Sequence, residues 1–169
     1  SMTRSGQWQG YFYRYDNSSW YSKIVTNLGD TFRTSIHALE IDGSTKLYYF
    51  YCRPNRPGYS SGHIEMRTST NQGSTWSGSS TIMNRRNDYI SNEVLYVNGR
   101  FLVLGTFQYN DDIDISISYD NGTTWSSEKT IISNRGTNDL ETAKGGDFSL
   151  GVKEPGNTIL LTYETSSNE

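Results

Sequence analysis

Two stretches decide how this chain is read: Ser69–Trp76, STNQGSTW, and Ser118–Trp125, SYDNGTTW. They share Ser-x-(Asp/Asn)-x-Gly-x-Thr-Trp and lie 49 residues apart. A third, degraded copy, RYDNSSWY at Arg14–Tyr21, keeps Asp16 but has Ser18 where the others have Gly73 and Gly122, and its Trp20 falls one position early. Self-similarity at a fixed period of this size marks a repeat architecture. The motif itself reads as structural. Asn71 or Asp120 is placed to accept backbone N–H bonds in an Asx-type turn. Gly73 and Gly122 allow a positive φ. Ser69 and Ser118 open the motif, Thr75 and Thr124 bond the turn, and Trp76 and Trp125 bury large area over the adjoining strands.

The flanks repeat too. Alternating segments precede the copies at Gln9–Tyr13, Ile64–Thr68 and Ile113–Ile117, and short strands follow at Lys23–Val25, Ser80–Met83 and Thr130–Ile132. A hairpin recurs three times. Ser35–Ile41 turns at Asp42-Gly43 into Leu47–Tyr51, Glu93–Val97 turns at Asn98-Gly99 into Phe101–Phe107, and Phe148–Val152 turns at Pro155-Gly156-Asn157 into Thr158–Glu164. Asn-Gly and Asp-Gly between alternating apolar residues are strong hairpin signals. Each unit is thus four short antiparallel strands with the motif between the third and fourth, the layout of one propeller blade.

Composition agrees. Of 169 residues, 33% are hydrophobic yet 14% are aromatic, and Gly occurs 16 times while Ala stands only at Ala38 and Ala143. Such a chain is poor in the best helix former and rich in strand formers, which disfavours a helix bundle. A net charge of −3 gives no electrostatic reason for a nucleic-acid partner. No apolar run reaches the ~20 residues of a membrane helix. Cys52 is the only cysteine, so no internal disulfide forms, and no His/Cys pattern implies a metal or cofactor. The chain opens without a signal-peptide pattern, and Ser1-Met2 reads as a cloning remnant.

The motif resembles the Asp box, or BNR repeat, of sialidase-like β-propellers, and the resemblance covers essentially the whole chain. The fold expected is all-β: a single module over residues 1–169 built of four-stranded antiparallel blades. It holds three blade equivalents, half plus two plus half. Residues 1–26 supply strands 3–4 of a split blade, 35–83 and 91–132 are complete blades, and 147–164 supply strands 1–2 of a split blade. Because a propeller needs about four to eight blades, the expected assembly is a homodimer closing a six-bladed ring by half-blade exchange. The alternative is the remainder of a longer propeller chain. An extracellular or surface-exposed location is expected.

In this layout the loops between strands 2 and 3, and between strands 4 and 1, share one face and carry the charge. Functional residues concentrate on loops held by a rigid scaffold. The ligand-binding candidates are Arg33, Arg53, Tyr59, Arg85, Tyr89, Tyr109 and Arg135. Glu93 and Asp147, at the start of strand 1 in successive blades, are the candidate catalytic carboxyl pair. Their separation would distinguish retention at about 5–5.5 Å from inversion at about 6.5–9.5 Å. His37 and His63 are isolated in the sequence, His37 reading as a strand residue.

The resemblance implies glycan binding or cleavage. In the enzymes three arginines clamp a carboxylate, a Tyr activated by a Glu is the nucleophile, and an Asp is the acid/base. The chain has Phe32-Arg33-Thr34-Ser35 where an Arg-Ile-Pro type motif would stand, and no two residues map as the Tyr–Glu pair. The expected function is therefore lectin-like glycan recognition on the loop face. A sialidase-like exo-glycosidase is the alternative, and a protein-interaction scaffold a second one.

Overall fold

A computed structural model describes residues 10–16, 18–26, 32–41, 43–53, 63–84, 89–107, 112–133, 148–153 and 158–163. These form twelve strands: β1 (Gly10–Asp16), β2 (Ser19–Thr26), β3 (Phe32–Ile41), β4 (Ser44–Arg53), β5 (His63–Ser69), β6 (Ser80–Met83), β7 (Tyr89–Val97), β8 (Arg100–Phe107), β9 (Ile113–Ser118), β10 (Lys129–Ile132), β11 (Phe148–Lys153) and β12 (Thr158–Tyr163). The described residues contain no helix, so none is long and apolar enough to cross a membrane.

Every pairing is antiparallel and follows chain order. Two four-stranded sheets, β3-β4-β5-β6 and β7-β8-β9-β10, are flanked by two two-stranded ones, β1-β2 and β11-β12. The turns set these meanders. Between β7 and β8, Asn98 at φ 50° and Gly99 at φ 77° close the loop between the Val97↔Arg100 pair, the left-handed pair of conformations that a two-residue hairpin turn requires.

The degraded third motif behaves differently from the other two. Instead of looping out, β1 and β2 pair in continuous register from Tyr11↔Ile24 to Asp16↔Ser19, so the strands overrun the expected Gln9–Tyr13 and Lys23–Val25 and meet across a two-residue turn. Without a Gly at position 18 and with Trp20 one place early, the chain takes the shorter reversal.

The sheets stack face to face in sequence order, like successive blades, and the described residues form no closed ring. Tyr48, Phe50 and Cys52 of β4 pack with Val94, Phe101 and Val103 of the following sheet. On the opposite face, Leu47, Tyr49 and Tyr51 pack with Phe12 and Val25 of β1-β2. Leu104 and Ile113 meet Leu161 of β12. Strand β4 is therefore buried on both faces, which explains its uninterrupted run Leu47-Tyr48-Tyr49-Phe50-Tyr51-Cys52, all buried.

Candidate functional site

The two Ser-x-(Asp/Asn)-x-Gly-x-Thr-Trp loops are built alike. Ser69 Oγ accepts the N–H of Gly73 at 2.9 Å and donates to Asn71 Oδ1 at 3.0 Å. Ser118 Oγ accepts the N–H of Gly122 at 2.8 Å and donates to Asp120 Oδ1 at 2.8 Å. The third residue then accepts from the backbone of the seventh: Thr75 N–H to Asn71 Oδ1 at 2.9 Å, and Thr124 N–H to Asp120 Oδ1 at 2.8 Å. The threonine side chains bond to that residue's side chain rather than to backbone. Thr75 Oγ1 accepts from Asn71 Nδ2 at 2.8 Å, and Thr124 Oγ1 donates to Asp120 Oδ2 at 2.6 Å. These donors hold the Asp120 carboxyl low, at about 2, with Thr124 the largest contributor.

A ninth residue belongs to the unit and escaped the sequence reading. Ser77 and Ser126 follow the tryptophans, and their Oγ atoms accept the N–H of Thr68 and Ile117 at 2.9 and 3.0 Å, clipping each loop back onto its strand. The identical Ser after Trp in both copies was the available signal.

Each loop also grips the preceding sheet. The carbonyl of Gln72 accepts from Arg14 Nη1 at 2.5 Å, and that of Asn121, at the equivalent position, accepts from Tyr48 Oη at 2.9 Å. Trp76 packs edge-on to Phe12 and Tyr49, and Trp125 lies against Phe50 and Phe101. The glycines do more than supply positive φ. A Cβ at Gly73 would overlap the Phe12 ring, and one at Gly122 would stand 3.2 Å from Tyr48.

At the opposite end of the sheets, where segment 54–62 joins β4 to β5, lies a polar cluster. Cross-strand pairs Arg53↔His63, Tyr51↔Glu65 and Tyr49↔Arg67 line one face of β4-β5. Glu65, buried, accepts from Tyr51 Oη at 2.6 Å through Oε2 and from Arg53 Nη1 at 3.2 Å through Oε1. Arg67 Nε donates to Tyr51 Oη at 3.4 Å. His63 is not isolated after all: its Nε2 is 3.8 Å from Glu65 Oε1 and its Nδ1 3.1 Å from Asn84 Oδ1. Burial, followed by the bond to Glu65, pushes the Tyr51 phenol up to about 12.

The next sheet has an acid at the matching position. Counting from the serines of the two loops, Asp114 stands where Glu65 stands, and its cross-strand partner is Gly105 where Glu65 has Tyr51. Asn92 flanks Gly105 on the other side, and Asp112, Asp114 and Asn92 are all buried. Both first strands are irregular near this end, with β-bulges at Arg33 in β3 and at Ile90 in β7. Bulges are over-represented where a sheet re-aims side chains beside a site.

Among the residues singled out from sequence, Arg53 joins the cluster. Glu93 lies in the middle of β7, four residues after the strand begins at Tyr89 and so later than expected. It pairs with Leu104, on the face toward β11-β12, and burial raises its carboxyl above the ordinary range. Arg33 and Tyr89 lie on strands, but their side chains are outside the described residues, as are Tyr59, Arg85, Tyr109, Arg135 and Asp147 altogether. His37 stands edge-on to Phe50 and Phe101 at 5.9 and 6.1 Å, and burial lowers its imidazole. Tyr51, whose place beside the 2–3 loop made it a candidate for stacking on a sugar, is buried and bonded to Glu65 instead. Glu65, Arg67 and Asp114 were missed, because residues alternating with apolar ones in a strand read as solvent-facing. No group of His, Cys, Asp and Glu among the described residues could hold a metal ion.

No family model, curated protein or solved structure matches the chain.

Proposed function

We propose that the chain is a sialidase-like Asp-box β-propeller module, three blade equivalents closed to six by a second copy, that recognises glycans lectin-like on its loop face. The observation that carries this reading is where polar groups are buried. Among the described residues the buried serines Ser69, Ser116 and Ser118 lie at or toward the motif-loop end, whereas the buried acids and amide, Glu65, Asn92, Asp112 and Asp114, lie at the end of the stack from which segments 54–62 and 108–111 depart. Burying such groups is costly unless they are hydrogen-bonded or paired, and an apolar side chain would stack the sheets without that demand. At the rim of a sugar site a buried carboxylate gives direction, as Glu65 does in holding Arg53, which is what preorganised recognition requires. The matching hydrogen bonds of the two motif loops support the Asp-box part of the reading.

The exo-glycosidase reading has the Tyr51–Glu65 pair on its side, flanked by Arg53 and Arg67. However, Tyr51 is 1% exposed and its phenol is pushed up to about 12, so as it stands the pair is a buried structural bond rather than a poised nucleophile.

Glycan-array screening followed by hydrolysis assays on the hits tests the proposal. Saturable binding without turnover, weakened at least ~10-fold in Arg53→Ala, is expected, since losing one charge-assisted contact is worth that much. Turnover abolished by Glu93→Gln or Asp147→Asn would establish the glycosidase instead. Neither binding nor turnover would leave the interaction scaffold.

A further inference from the structure

The stack is staggered, and its exposed apolar side chains follow the stagger. In β1-β2, the pairs Tyr11↔Ile24 and Tyr15↔Trp20 share the face turned away from β3-β6, and Tyr13 lies between them. Trp20 is 71% exposed and Tyr13 59%, and the rings are already in contact with one another, Tyr11–Tyr13 at 6.1 Å and Tyr15–Trp20 at 5.2 Å. At the other end of the stack Leu160 of β12 is half exposed on the face turned away from β7-β10. Between the ends, two strands face four on each side. Ile36 of β3 is left exposed on the face toward β1-β2, and Ile115, Ile117 and Ile132 are only half-buried on the face toward β11-β12.

We infer that the tyrosine face of β1-β2 is an interface for a second copy of this chain. It seats on β9-β10 of that copy while edge β1 pairs with the copy's β12, giving the order β11-β12-β1-β2. This rests on the ring-closing part of the proposed function. Three features on the molecule select a second copy as the occupant. β11-β12 and β1-β2 are each two-stranded beside four-stranded sheets, one matching the first two strands of such a sheet and the other its last two, so two copies complete each other reciprocally, as a two-fold contact demands. The order β11-β12-β1-β2 would reproduce the meander of both complete sheets. Finally, the area suffices. At the ~150–250 Å² an aromatic side chain carries, the exposed fractions leave on the order of 600 Å² on the tyrosine face. Adding Ile36 and Leu160 brings each copy to roughly 750 Å², close to the share per partner of a standard stable interface. A lone molecule rarely exposes so large an apolar patch.

Sedimentation velocity and native mass measurement on the full chain test this. The expected mass is twice 19.2 kDa. Tyr13→Lys combined with Trp20→Lys, both solvent-facing within one copy, should raise the dissociation constant at least ~100-fold, as expected for central aromatic anchors. Tyr119→Lys, equally exposed but on a motif loop, should leave it unchanged. Hydrogen exchange should find β1 and β12 amides protected in the wild type and less so in the double variant. A one-chain mass, an open-ended series of masses, or a dimer that survives the double variant with unprotected β1 and β12 edges overturns the inference. Glycan binding is scored separately, so a dimer that binds no sugar defeats the recognition reading alone, and a sugar-binding monomer defeats this interface alone.

Discussion

Replacing Gly73 by Ala separates two costs that a glycine at positive φ normally hides in one number. Gly73 has φ 82°, and an added Cβ would run into the Phe12 ring; Gly99 has φ 77° with nothing within 4 Å of the same position. The backbone cost is therefore common to both, about 1 kcal/mol for an L-residue held in the left-handed region. Only Gly73→Ala adds overpacking, typically ~1–3 kcal/mol where neighbours must move. Gly99→Ala should thus cost about 1 kcal/mol and Gly73→Ala about 2–4 kcal/mol. Urea denaturation reads the difference, with Trp76, whose ring is 5.5 Å from that of Phe12, among the reporters. Protein concentration must be fixed, because association shifts apparent stability. Phe12→Leu closes the cycle: it should relieve Gly73→Ala by a coupling of about 1 kcal/mol or more and leave Gly99→Ala untouched. Equal losses at the two glycines, or strict additivity with Phe12→Leu, would refute the claim that the motif loop is docked on β1.

Three further outcomes are expected. Asp120 is held at about 2 by Thr124 and its neighbours, below its ordinary value of 3.8, so its stabilising contribution is full above pH 4 and is lost as pH falls toward 2. Asp120→Asn, which copies Asn71 of the first loop, should keep the turn and flatten that part of the acid-unfolding curve. Tyr51→Phe removes the donor to buried Glu65 and should cost about 1–3 kcal/mol, while Glu65→Ala, which strips Arg53 of a buried carboxylate, should cost about 3–5 kcal/mol by chemical denaturation. Tyr48 and Tyr51 are both raised to about 12, mainly by burial, so the stability they confer holds below pH 10 and declines from there to about 12. Spectrophotometric titration should find Tyr48 and Tyr51 among the late-ionising phenols, and Tyr51→Phe should remove one late-ionising phenol from the curve.

Much of the architecture was legible because its signals are local. Asn98-Gly99 dictates a two-residue reversal whatever surrounds it, since few residue pairs accept two consecutive left-handed conformations. The loops at Ser69 and Ser118 close through bonds within a few residues of themselves, so the spelling of the motif suffices to specify them. The same logic explains the misreading at Asp16: with Ser18 in place of a glycine, the local optimum is a hairpin, and partial likeness to a motif does not carry its geometry.

What the sequence by itself determined is the set of strands, their antiparallel order, the reversal at Asn98-Gly99 and the two motif loops. Tertiary structure alone decided which faces are inside. Alternation in IEMRTS and IDISIS marks Glu65 and Asp114 as the polar side of a strand, yet both are buried, because another sheet covers that side as well. A period of two distinguishes one face from the other but cannot say that both are covered. The pairing of Glu65 with Tyr51 and Arg53, and the matching place of Asp114 beside Gly105, exist only once the register across β4-β5 and β8-β9 is fixed and the neighbouring sheet has arrived.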